Sequence, residues 1–213
     1  MTGNAGTRDS VWQKAFPIFG PENENVTCGR GAFPVYNAAS IETATLLAGD
    51  EVGFMVSAPF FEDDLIQNIY HAGPGQIFLS KLPQGLKDLN EYDARGDFFK
   101  IGYAGPINAT GWALNDHLAM NVTIPKTTPP GKYIMRIEQW LPSSEHGQSQ
   151  WFVNCAHVEI VGQGGGTPGP FIRFPNAYSE DDQSVWFHEE GTNSGYPKDA
   201  MKYVMPKPDV WTG

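Results

Sequence analysis

The sequence predicts an all-β fold, an antiparallel sandwich with long loops. Three observations predict it: segments in which apolar and polar residues alternate, turns rich in Gly and Pro between them, and the weakness of any helical period. In chain order, Glu51 to Ala58 places Val52, Phe54 and Val56 on one face. Leu82 to Arg95 holds at most a short turn of helix, because Pro83 and Gly85 interrupt it. Leu118 to Ile124 alternates at Leu118, Met120, Val122 and Ile124. Tyr133, Met135 and Ile137 alternate after the turn Pro129-Pro130-Gly131, and Ala156, Val158 and Ile160 follow Cys155. This is the period of half-buried antiparallel strands. Gln163 to Pro170 reads as a linker, yet the chain beyond stays aromatic at Phe171, Phe174, Tyr178, Trp186, Phe187, Tyr196, Tyr203 and Trp211. That segment is expected to wrap on the sandwich. One domain over 1–213 is expected, with 1–12 disordered and no internal repeat.

The composition supports a folded chain with many turns. Of 213 residues, 40% are hydrophobic and 13% aromatic, which excludes a disordered chain, and 24 glycines with 17 prolines favour short strands. A formal charge of -10 makes nucleic acid and anionic membranes poor partners, since phosphate binding needs clustered Lys and Arg. A neutral partner such as a glycan suits it better. No apolar stretch reaches membrane-spanning length, and the residues from Met1 to Asp9 lack the apolar core of a signal peptide.

Cys28 and Cys155 are the two cysteines, open to one disulfide or two buried thiols. Asn25-Val-Thr27, Asn108-Ala-Thr110 and Asn121-Val-Thr123 are N-glycosylation sequons. Three in one short chain point to a secretory history and an extracellular protein, which favours the disulfide.

Four stretches carry a resemblance to a known family. His71-Ala-Gly-Pro74 precedes Ile77-Phe78-Leu79; Val122-Thr-Ile-Pro125 precedes Pro130-Gly-Lys-Tyr133 and Met135-Arg136-Ile137-Glu138; Gly147 leads through Gln150-Trp-Phe152 to Cys155; and Tyr203 begins a run ending Val210-Trp211-Thr-Gly213. Their order and spacing resemble auxiliary-activity family 9, the fungal copper-dependent lytic polysaccharide monooxygenases formerly grouped with glycoside hydrolases. The resemblance runs from about Phe16 to Gly213. It implies an immunoglobulin-like β-sandwich, a central disulfide between Cys28 and Cys155, a monomer, and oxidative cleavage of cellulose or a related β-glucan.

The resemblance also implies a site. The family binds one copper in a brace made by an N-terminal histidine and an internal one, and imidazole suits that metal. His71 falls on the internal ligand position; taken alone, its Gly-Pro turn reads as a surface loop. Gln150 falls on the glutamine that positions the oxygen species. Phe152 falls on the axial position, where the family usually has tyrosine, and alternation puts it on the same face as Gln150. Taken alone, Phe152 reads as core and Gln150 as an edge polar residue. The family's Arg-His-Glu run reads Arg136-Ile137-Glu138, and isoleucine offers no hydrogen bond there. Residue 1 is Met and no histidine precedes His71, so the chain as written is expected to hold copper weakly or not at all. It reads as an incomplete or degenerate member, with a non-catalytic glycan-binding or surface protein as the alternative. Tyr203 is a candidate for stacking on a sugar face, equally readable as packing of the tail. His146 lies in a polar loop at a spacing that does not match the family's Arg-His-Glu histidine, His117, His157 and His188 match no ligand pattern, Glu180-Asp181-Asp182 reads as a solvated loop, and no carboxylate pair is placed for glycoside hydrolysis.

Overall fold

The computed structural model describes residues 16–31, 41–56, 68–187 and 199–213. Among the described residues eight strands form in chain order: β1 Thr43–Leu47, β2 Glu51–Met55, β3 Gly75–Lys81, β4 Phe98–Ala104, β5 Ala119–Thr123, β6 Gly131–Leu141, β7 Gln150–Val161 and β8 Phe171–Ile172. Six build one sheet in the order β1-β7-β6-β3-β4-β8, and β2 pairs with β5 as a two-stranded ribbon. The fold class is as the sequence predicts. One pairing departs from antiparallel: β1 runs parallel to β7, with Thr43 beside His157. The long intervening chain makes such a crossover feasible. The expected disorder of 1–12, and His188 and Tyr196, lie outside the described residues.

The alternation predicts the inner core. Ile77, Leu79, Phe99, Ile101, Tyr133, Met135, Val158 and Ile160 project from the large sheet and pack with Met120 and Ile124, joined by Val52, Phe54 and Val122 of the ribbon. Each large apolar side chain buried here contributes about 1.5–3 kcal/mol. Leu118 departs from its expected face. Its carbonyl accepts a hydrogen bond from Val56 N at 2.9 Å, but its side chain is 59% exposed, so the covered run starts at Met120.

The central strands are not half-buried as expected. On β6, Ile134, Arg136, Glu138 and Trp140 face away from the inner core, and all are buried. Three segments cover this outer face. Residues 16–31 bring Cys28, bonded to Cys155, and Val26. The loop after β3 brings Leu89 and Tyr92; its expected helical turn is one 3-10 turn, Leu89–Glu91, capped where Asp88 Oδ1 accepts from Asn90 N at 2.8 Å. The C-terminal segment wraps as expected. Its β8 pairs with the edge strand β4 and Phe174 fits edge-on to Phe78 and Phe98, while Trp211 reaches the other face and packs 5.3 Å from Phe99 of the inner core.

Covering the outer face buries charge. Arg136 donates from Nε to Thr27 O at 2.9 Å and from its guanidinium to Val26 O at 2.6 Å and Glu138 Oε2 at 2.8 Å. Its guanidinium lies 3.5 Å from the Phe174 ring centroid. Glu138 Oε1 accepts from Gln76 Nε2 at 2.8 Å and from the Tyr178 hydroxyl. Burial holds Tyr178 protonated by raising its pKa well above the usual value.

Lys100, on β4, is also buried and donates to Pro206 O, holding the C-terminal segment. Burial lowers its pKa to about 8. The folded state therefore binds fewer protons than the unfolded chain between pH 8 and the ordinary lysine value of 10.5, and Lys100 makes stability rise with pH in that interval. Tyr103 and Tyr133, pushed up by burial to about 12, act oppositely above pH 10. Denaturant unfolding from pH 7 to 9.5 should show the native chain gaining on the order of 2 kcal/mol relative to Lys100→Met. Parallel curves would refute the assignment.

Candidate functional site

The His71 segment is fixed where β3 begins. Gly73 lies so close to β6 that a Cβ there would come within 1.8 Å of Trp140 O, so only glycine fits. Pro74 O accepts from Trp140 N at 3.3 Å, and His71 O accepts from Gln139 Nε2 at 3.0 Å. On the other side, Ile69 N donates to His117 O at 2.8 Å and Asp116 N to Ile69 O at 2.9 Å. Asn68 Nδ2 donates to Asp116 Oδ1 at 3.2 Å, and Asp116 takes a left-handed φ of 63°. These contacts clamp the loop from both flanks.

The structure brings His71 and Phe152 together. Their rings stack with centroids 5.1 Å apart and planes 20° from parallel. Gln139 lies directly across from Phe152 in the β6–β7 register, and Gln150 lies two residues before Phe152 on the same face. Burial lowers the His71 pKa, which keeps the imidazole neutral at pH 7. His71 Nδ1 is buried without a hydrogen-bond partner. A neutral imidazole with an unpartnered buried nitrogen suits a metal-ligand role, although His157 Nδ1 is equally unpartnered at the opposite end of β7. Phe152 offers no oxygen to a metal. Among the described residues no group of three His, Cys, Asp or Glu side chains could hold a metal ion.

The other predicted residues fall elsewhere. Ile137 packs at the inner core. Tyr203 does not present its ring for stacking on a sugar: it is 8% exposed, packs edge-on against Trp112 at 5.0 Å and Phe187 at 5.5 Å, and donates its hydroxyl to Ser184 O. It is a core residue that fastens the tail. His117 is exposed, and His157 is buried on the outer side of β7. His146 meets Asp181 at 3.0 Å and Glu180 at 3.8 Å, with its ring 5.1 Å from Trp186, so this acidic run is partly engaged. Of the sequon asparagines, Asn108 and Asn121 are exposed and Asn25 is half-buried.

Two residues at the site escape sequence reasoning. Gln139 anchors the His71 carbonyl, yet a glutamine within a strand has no distinguishing pattern. Tyr70 is 59% exposed and meets His71 edge-on at 5.2 Å. Its only sequence signal is adjacency to His71.

Comparison with known proteins agrees with this geometry. The family model of Auxiliary Activity family 9 (formerly GH61) matches residues 4–196. The chain is 48% identical over 225 aligned residues to AA9 family lytic polysaccharide monooxygenase U of Thermothielavioides terrestris, covering 97% of this chain and 85% of that protein. It is 34% identical over 209 residues to AA9 family lytic polysaccharide monooxygenase A of Aspergillus fumigatus, covering 95% of this chain and 66% of that protein. A cellulose-active polysaccharide monooxygenase from M. thermophila superposes with a TM-score of 0.70 at 20% identity, covering 93% of this chain and 84% of that one. The extended catalytic domain of H. jecorina LPMO9A gives 0.68 at 21%, covering 93% and 75%. These structural likenesses establish the sandwich fold. The chain belongs to Auxiliary Activity family 9, a family of copper-dependent enzymes that cleave polysaccharides oxidatively. No helix among the described residues is long and apolar enough to cross a membrane.

Proposed function

We propose that this chain is an extracellular, monomeric member directed to cellulose or a related β-glucan, with His71 as a copper ligand in an impaired centre. The observation that carries the site is the His71 imidazole: neutral, with Nδ1 buried and unpartnered, under the stacked Phe152 ring. Copper, when bound, supplies activation of dioxygen or peroxide for oxidation beside a glycosidic bond. Gln139 and the Gly73 contact orient His71, while Phe152 shields one side of its ring from water. Exposed Tyr70 offers an aromatic face beside the ligand for a sugar ring, the role that Tyr203, buried in the tail, does not serve. Gln150 stands on the face of Phe152, placed to hold a polar ligand.

The impairment rests on two residues of this chain. Phe152 has no oxygen to offer a metal, and Ile137 is apolar where the family run has histidine. These same residues favour a second reading, a glycan-binding protein without redox chemistry. Calorimetric titration of the 213-residue polypeptide with Cu(II) should show weak binding, reduced at least tenfold in His71→Ala. Incubation with cellulose and a reductant should release no oxidised oligosaccharides above a protein-free control. Tight binding with abundant oxidised products would overturn the impairment, and unchanged binding by His71→Ala would overturn the ligand assignment. Retention on cellulose that falls in Tyr70→Ala would support glycan contact at this face.

A further inference from the structure

We propose that Asn121 is an N-glycosylated position whose sugar covers the outward face of the β2–β5 ribbon. The fold treats the three sequons differently. Asn25 is half-buried in a 3-10 turn, its Nδ2 donating to Asn23 Oδ1 at 3.0 Å, and its threonine Thr27 is 2% exposed. Asn108 is exposed but folded on itself, accepting at Oδ1 from Thr110 N at 3.0 Å and from Thr110 Oγ1 at 3.3 Å. Asn121 stands in mid-strand with Thr123 two residues on, both exposed on the same face. It makes one long hydrogen bond, 3.3 Å from Nδ2 to the exposed Glu51.

The residue opposite Asn121 makes room beside it. Gly53 pairs across from Asn121, and a Cβ there would lie 2.2 Å from Asn121 Oδ1 and 2.7 Å from Met120 O. Glycine inside a strand costs roughly 0.5–1 kcal/mol. Here it leaves a shallow trough that runs along the ribbon to Met55, which is 73% exposed and pairs across from Ala119. Gly53, Met55 and Ala119 thus form an apolar strip next to the asparagine. Among the described residues each ribbon strand has one hydrogen-bonded neighbour, so each presents an edge of the kind that proteins cover or blunt. A sugar rooted at Asn121 reaches both the strip and the edge.

The chemistry requires a lipid-linked oligosaccharide diphosphate as donor. Asn121 Nδ2 attacks the anomeric carbon, the bond from that carbon to the diphosphate oxygen breaks, the amide gives up one proton, and the lipid diphosphate leaves. No redox change occurs. The inference does not depend on the metal site.

The full chain, secreted from a eukaryotic host behind a supplied signal peptide, tests it in two steps. Peptide mapping after enzymatic deglycosylation should find Asn121 occupied in most molecules; an unmodified Asn121 overturns the proposal. Peroxide should then convert Met55 to its sulfoxide at least threefold more slowly in the glycosylated protein than in the same protein deglycosylated under native conditions. Asn121→Gln should match the deglycosylated rate. Equal rates with and without the sugar would overturn the cover.

Discussion

Arg136→Ala is expected to destabilise the protein by about 3–5 kcal/mol, because it leaves Glu138 charged and buried without its partner. The loss extends further. The Val26 and Thr27 carbonyls lose their donor, and Phe174 loses the guanidinium beside its ring. For a chain of this length the fall in melting temperature is roughly 10 °C or more. The double variant Arg136→Met/Glu138→Leu should recover only part of it, since the two carbonyls would still lack their donor and Gln76 and Tyr178 would keep only the hydrogen bond between them. Denaturant unfolding of the single and double variants checks this. A loss below about 1 kcal/mol in Arg136→Ala would mean that water reaches Glu138.

Removal of the Cys28–Cys155 disulfide carries the second large effect. The bond closes a loop of 127 residues in sequence, and the chain-entropy relation gives about 5 kcal/mol for such a loop. Cys28→Ala/Cys155→Ala should approach this value, less whatever structure the open unfolded chain retains. The disulfide and Arg136 grip the same short segment, since Arg136 holds the carbonyls of Val26 and Thr27 just before Cys28. The two losses should therefore not add. A combined variant, if it folds, should lose more than the sum, because each device holds the segment when the other is gone. Strict additivity, measured by denaturant unfolding at fixed pH, would show that the two act independently.

The inner core was legible because one rule governs it. Tyr133 and Met135 alternate toward the ribbon, and the period survives in the fold. The outer face was not legible. Arg136 and Glu138 occupy positions that, in a two-sided alternation, belong to solvent. Their burial depends on carbonyls 110 and 109 residues away, and no local pattern encodes that partner. The site divides the same way. His71-Ala-Gly-Pro74 was legible because Gly73 answers a local demand for close backbone approach. Gln139 was not, because its role comes from a carbonyl 68 residues earlier. Tyr203 could be read either way until Trp112, Phe187 and Ser184 closed around it.

The disulfide also sets the covalent shape of the molecule. Residues 28–155 form a closed ring from which two tails depart, the segment before Cys28 and the segment after Cys155. Both tails leave from one point on the outer face. The ring holds β1 through β6, the His71 loop and the first part of β7, including Gln150 and Phe152. A single backbone cut anywhere within it therefore frees no fragment. The candidate ligand and the residues stacked around it stay tethered to the rest of the chain through sulfur, so a single proteolytic nick there leaves the molecule in one piece.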